Sequence, residues 1–178
     1  MNWFRLDPLF TFRMIFHGWH PNSPLSHPIL TRRTFFSDKL PDAYIETFQD
    51  RLSPYESFLW IMGMSKLFVD PQRVLKQISG WGVGQRLLVL RGEEDKLMNK
   101  LEMDKLASFY RRAFMDLVSQ KKVEAENANV QTLLGEGDED NTGHGVRVSM
   151  VPGAGHHLQN DVTWEVGARK LLDFYQQL

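Results

Sequence analysis

The chain has 178 residues, the size of one ordinary domain, with 42% hydrophobic residues, 24% charged residues and a net charge of −1, the profile of a globular protein. So small a net charge gives no general pull toward nucleic acid or an anionic membrane. The absence of cysteine excludes a disulfide scaffold, a thiolate zinc site and a cysteine nucleophile within this chain, and it accords with a cytoplasmic location.

The opening residues, Met1 to Pro8, lack the apolar core and small-residue cleavage site of a secretory signal. No apolar run approaches the roughly 20 residues of a membrane span, so no transmembrane segment is expected. Residues 1–80 are rich in aromatics, Met and Pro and read as helical. Pro41-Asp42 leads into a short helix around Ala43–Phe48. Ser53-Pro54-Tyr55-Glu56 is a capping box with Pro at the first helical position. Behind it Tyr55, Phe58, Leu59, Met62 and Leu67 keep near-helical spacing, widened by Trp60 and Ile61. Asp70-Pro71 starts another helix that ends near Gly80.

Residues 81–178 have a different rhythm. Gly82 and Gly84 precede Leu87-Leu88-Val89-Leu90, a short apolar run of the kind buried on both faces of a parallel sheet. A long helix follows over about Met103 to Glu126, with a stripe of Leu106, Phe109, Tyr110, Ala113, Phe114, Leu117 and Val118. Residues 135–143 are acidic and Gly-rich and read as a mobile surface loop. Val146, Val148 and Met150 alternate with polar residues, which predicts an edge strand. The last helix runs from about Asp161 to Tyr175, with Val162, Val166, Leu171 (or Ala168), Leu172 and Tyr175 as its expected inner face. Strand, helix, strand, helix is a βαβα unit, so the fold class is α/β with parallel strands. Two parallel strands are not a stable sheet alone. Further strands are therefore expected, from an N-terminal half absent from this chain or from another chain.

Active sites of open parallel sheets lie beyond the carboxyl ends of the strands. Both strands end there in a glycine turn carrying a titratable residue: Gly92-Glu93-Glu94-Asp95 after the first, Gly153-Ala154-Gly155-His156 after the second. The pairing resembles the α/β-hydrolase superfamily, whose last two core strands are followed by a Gly-x-x-Asp turn and a Gly-x-Gly-His turn. The resemblance is specific over about residues 81–178. Residues 1–80 resemble, in architecture alone, the helical cap inserted before those strands. The acid and histidine are 61 residues apart, longer than the family pattern, and the acidic loop accounts for the excess.

The resemblance implies a hydrolase with His156 as general base and Asp95 as the acid that orients its imidazole. The register of the two turns favours these residues over their neighbours Glu93, Glu94 and His157. Taken singly, an Asp in such a turn reads as a helix cap and a His as a surface residue; their joint placement carries the triad reading.

The family's nucleophile elbow, Gly-x-Ser-x-Gly, does not occur. Its nearest approach, Gly63-Met64-Ser65-Lys66-Leu67, lacks the final glycine, and Ser65 reads as a helix serine. Alone, the chain is expected to be catalytically inactive. Phe16-His17-Gly18-Trp19 resembles an oxyanion-hole signature, but too little sequence precedes it for that role, and a loop leading into the cap is the simpler reading. His17 and His20 are separated by Gly18 and followed by Pro21, which disfavours a helical metal site. No metal or other cofactor is expected. The cap's Trp, Phe and Met residues point to a small-molecule substrate with an apolar group, such as an ester. Two readings result: the C-terminal portion of an α/β-fold serine hydrolase, or an inactive hydrolase-fold protein kept as a binding module. An aspartate nucleophile would be served by the same C-terminal half.

Overall fold

The computed structural model describes residues 28–52, 69–81, 85–124 and 140–178, together with Leu9 and Phe12. The capping box at Ser53, Ser65, the Phe16–Trp19 segment, His20 and residues 135–139 lie outside the described residues. Among the described residues five α-helices follow in chain order: α1 (Pro28–Phe35), α2 (Asp42–Asp50), α3 (Pro71–Leu75), α4 (Lys100–Ser119) and α5 (Trp164–Gln176). Three strands accompany them: β1 (Leu87–Gly92), β2 (Asn141–Gly143) and β3 (Val146–Val151). The strand order is β1-β3-β2. The chain is thus of mixed α/β character, with β1 and β3 parallel and in register from Leu87↔Val146 to Gly92↔Val151.

The parallel pair has the βαβα order expected from sequence, but β3 is not an edge strand. It lies between β1 and β2 and is buried along nearly its whole length. The polar residues that made it look half-solvated, Arg147 and Ser149, are 4% and 0% exposed. They face a buried polar cluster. Asp140 accepts from the Ser149 hydroxyl and the Met150 amide, and pairs with Lys170 of α5 at 2.8 Å. The end of the supposed loop is also ordered. Asn141–Gly143 forms β2, antiparallel to β3, closed by a two-residue turn in which His144 and Gly145 both have positive φ. Such a turn matches the twist of a hairpin.

The helices carry the core. Phe36 and Leu40 between α1 and α2 are buried together with Ile45 of α2, with Phe35 and Phe48 against them. α3 starts where expected, with the Asp70 side chain accepting from the Gln72 amide. It stops at Leu75 rather than near Gly80, because the chain tightens through Gln77 N–H to Val74 O and Ile78 N–H to Leu75 O. The Trp81 indole then donates to the Leu75 carbonyl and packs with Leu75 on Ala113, Phe114 and Leu117 of α4.

α4 covers one face of the sheet through Ala107, which joins Val89, Val146 and Val148. It begins one turn before the expected Met103, since Asn99 caps it by accepting from the Glu102 amide. It ends well before Glu126 at a left-handed Lys121 (φ 54°), with Lys122 N–H bonded to Leu117 O and Lys121 N–H to Val118 O. That is a Schellman ending without its usual glycine. Within the expected stripe Leu106 faces solvent and Ala107 takes the inward position. The Arg111 guanidinium bonds the carbonyls of Gly143 and Val146 and the Asn141 side chain, tying the hairpin to α4. Among the described residues no helix is long and apolar enough to cross a membrane.

α5 departs most from expectation. Its buried residues are Gly167 and Phe174, whereas Leu171, Leu172 and Tyr175 are 55%, 52% and 70% exposed. Gly167 packs toward the Val151 side chain, with ordinary van der Waals room for a Cβ at 3.5 Å. One turn on, Lys170 reaches Asp140. The inner side of α5 therefore combines Gly167, the Lys170 ion pair and one buried aromatic, Phe174, while Leu171, Leu172 and Tyr175 point outward.

Candidate active site

β1 and β3 run parallel, so their carboxyl ends emerge side by side, at Gly92 and Val151. The two glycine turns leave from there and lock together. The Glu94 amide donates to the Ala154 carbonyl at 2.8 Å, the Glu93 amide to the Val151 carbonyl at 3.0 Å, and the Gly153 amide to the Glu93 carboxylate at 2.7 Å. Gly92 is required by this contact. A Cβ on it would lie 2.2 Å from the Gly155 carbonyl oxygen and 2.4 Å from that of Ala154, both far inside van der Waals contact.

The sequence-assigned acid and histidine meet at this junction. Asp95 Oδ2 lies 2.9 Å from His156 Nδ1. The Asp95 side chain is 4% exposed, and its other oxygen, Oδ1, accepts the amides of Leu97 and Met98, each at 2.8 Å. One carboxylate thus closes its own turn and still presents a fixed oxygen to the imidazole. Asp95 does not cap α4, a task that falls to Asn99. The His156 side chain keeps 35% of its surface exposed. Its second ring nitrogen, Nε2, has no hydrogen-bond partner among the described residues. The Phe35 ring lies beside the imidazole, with centroids 6.0 Å apart.

The neighbouring residues have other employment. Glu93 holds the Gly153 amide. Glu94 faces Lys39 at 3.6 Å. His157 turns away into the aromatic cluster of Phe35, Phe36 and Phe48, 4.9 Å from the Phe48 centroid, with Asn160 at its Nδ1. Burial there, together with the nearby His156, pulls the His157 pKa below the ordinary histidine value. The geometry separates two adjacent histidines that composition alone does not distinguish.

One participant has no local signature in the sequence. Asp161, which reads simply as the start of the last helix, is a buried carboxylate against the histidine turn. It bonds the Gly155 amide and reaches across to Ser37 in the α1–α2 segment. That segment makes further contacts here. The His157 amide donates to the Phe35 carbonyl at 2.8 Å, and Lys96 pairs with Asp38 at 3.1 Å. A cavity of about 790 Å³ opens along α2, lined by Tyr44, Phe48, Arg51 and Trp164 among others. Neither Asp95 nor His156 lines it, so it is a separate feature from the acid–imidazole pair. Among the described residues no group of three or more His, Asp or Glu side chains is placed to hold a metal ion. Comparison of the chain with protein-family models, with curated proteins and with solved structures finds no match.

Proposed function

We propose that this chain supplies the acid and the general base of a serine-hydrolase site of the α/β-hydrolase type, acting on an ester or similar bond with an apolar group. The observation that carries this reading is the 2.9 Å contact between Asp95 Oδ2 and His156 Nδ1 at the ends of two adjacent parallel strands. With Asp95 as acceptor, the proton sits on Nδ1 and Nε2 is left as the base. Nε2 takes the proton of an attacking hydroxyl, and the buried Asp95 carboxylate stabilises the imidazolium that forms. The same proton then passes to the leaving group. Phe35 beside the ring gives this half of the cleft an apolar wall, in keeping with an apolar acyl or alcohol group.

The nucleophile is outside this reading of the chain, since no Gly-x-Ser-x-Gly occurs in the sequence. It is to be sought on a strand–turn–helix unit from another segment or another chain. The second reading, an inactive hydrolase-fold binding module, draws on that missing elbow and on the outward apolar stripe of α5. The two are separated by labelling. A tag on this chain is used to recover it, with whatever it assembles with, from its native cells, and the sample is treated with a serine-directed fluorophosphonate. The hydrolase reading expects a labelled band that His156→Ala abolishes. Labelling that survives His156→Ala contradicts the assignment, and no labelled band at all favours the binding module.

A further inference from the structure

Asp161 is 2% exposed and has no cationic partner among the described residues. Its carboxylate is instead filled by four donors. Oδ1 accepts the Ser37 hydroxyl at 2.6 Å and the Val162 amide at 2.7 Å. Oδ2 accepts the Ser37 amide at 2.7 Å and the Gly155 amide at 2.8 Å. Burial by itself would raise its pKa. The hydrogen bonds from Ser37, Gly155 and Val162 outweigh that, and hold the group below the ordinary carboxylate range. The carboxylate is therefore charged at neutral pH and bound by fixed dipoles rather than by a counter-ion.

The position of those donors is informative. Gly155 immediately precedes His156, so Asp161 grips the backbone one residue before the proposed base. On the other side, the His157 amide is held by the Phe35 carbonyl. The residue between them is pinned at both flanking amides, and the α1–α2 segment takes part in both grips. Space is equally constrained. A Cβ on Gly155 would lie 2.5 Å from the Phe36 carbonyl carbon and 2.7 Å from the Ser37 nitrogen. The histidine turn is thus pressed between the Phe35–Ser37 backbone and the acid turn, and Asp161 is the joint.

We propose that Asp161 is a positioning residue: by tying the Gly155 amide to Ser37 it sets the imidazole of His156 in register with Asp95, without touching the ring. This rests on the reading of His156 as the general base, but it has its own measurable content. A catalytic imidazole displaced by about 1 Å loses on the order of a hundredfold in rate, so a carboxylate that fixes the backbone beside it has kinetic weight even at a distance from the reacting atoms.

The test uses the full chain and its His156 ring nuclei by NMR. In the unaltered chain, Nδ1–H is expected to be shielded from exchange with water by Asp95. Asp161→Asn keeps the shape but puts an NH2 group against donors. It should abolish that slow exchange. Ser37→Ala removes one donor and should produce a smaller change in the same direction. Asp161→Glu should restore part of the protection. In the tagged assembly that labels with fluorophosphonate, Asp161→Asn should lower kcat at least tenfold with little change in KM. If Asp161→Asn folds and leaves the His156 Nδ1–H exchange unchanged, the proposal fails. Should Asp161→Asn not fold, an unchanged His156 signal in Ser37→Ala overturns it equally. Altered His156 signals together with labelling that survives His156→Ala would keep the positioning role and sink the catalytic one, so the two failures are distinct.

Discussion

At the scale of single residues, the site is defined by contact distances that leave little room. Gly92→Ala must push a methyl group into the carbonyls of Ala154 and Gly155. We expect it to cost about 1–3 kcal/mol, as overpacking of a close contact does, and to part the acid turn from the histidine turn. Gly143→Ala is the matched control: its added Cβ meets nothing within 4 Å, and stability should change by no more than about 0.5 kcal/mol. Urea unfolding of the two variants measures both, and equal losses would contradict the packing assigned here. That Asp95 and His156 come together was legible in the sequence, because each sits at a fixed offset from a glycine at a strand end. Asp161 was not. Two of its hydrogen bonds come from Ser37, 124 residues away, and no local pattern records a partner at that separation. The register of the turn already favoured His156 over His157, but the enclosure of His157 by Phe35, Phe36 and Phe48 is visible only in the fold.

At the scale of elements, α5 shows where periodicity misleads. The helix has two apolar-compatible sides. The richer one, with Leu171, Leu172 and Tyr175, faces outward, while Gly167 and Phe174 face the sheet. Hydrophobic count chose the wrong side, because the sheet face it covers is itself polar: Arg147 and Ser149 of β3 and the Asp140–Lys170 pair. The same buried polar face gave β3 its misleading edge-strand alternation. A sequence shows that residues alternate but not whether water or a carboxylate satisfies the polar ones. The hairpin at His144-Gly145 escaped for a related reason, since an acidic, Gly-rich composition masked a two-residue turn. Phe174→Ala should cost about 3–5 kcal/mol as a truncated core aromatic. Leu171→Ser with Leu172→Ser should change stability by less than about 1 kcal/mol while reducing any self-association seen by sedimentation. A larger loss from the serine pair than from Phe174→Ala would show that the sequence-based face was the inner one after all.

At the scale of the molecule, the pH response follows from buried ionisable groups. Asp161 and Asp140 are held below the ordinary carboxylate range, each against the opposing effect of its burial. Asp161 is held by Ser37, Gly155 and Val162, and Asp140 by Lys170, Met150 and Ser149. Their contribution is complete above the unfolded value of about 4 and is lost as pH falls through the folded values. His157 is depressed by burial, so the unfolded chain takes up its proton first. Stability should therefore begin to fall below about pH 6.5 and fall again below about pH 4. Denaturant midpoints measured across that range test this, and a rise in stability between pH 7 and 5 would contradict it. The parallel strands, the βαβα order around them and the two strand-end turns were readable in advance. The contact that joins Ser37 to the histidine turn, and so residues 28–52 to the site, was not, because it is made by one buried carboxylate rather than by a pattern. Asp95 and His156 are proposed to act as one unit on a reacting hydroxyl. The most direct test is the rate of hydrolysis of a p-nitrophenyl acyl ester by the tagged assembly carrying Asp95→Asn, with Glu94→Gln as comparison. A loss on the order of 10³- to 10⁴-fold in kcat is expected for Asp95→Asn, and a far smaller change for the half-buried Glu94→Gln, whose partner is Lys39; full activity in Asp95→Asn would contradict the assignment.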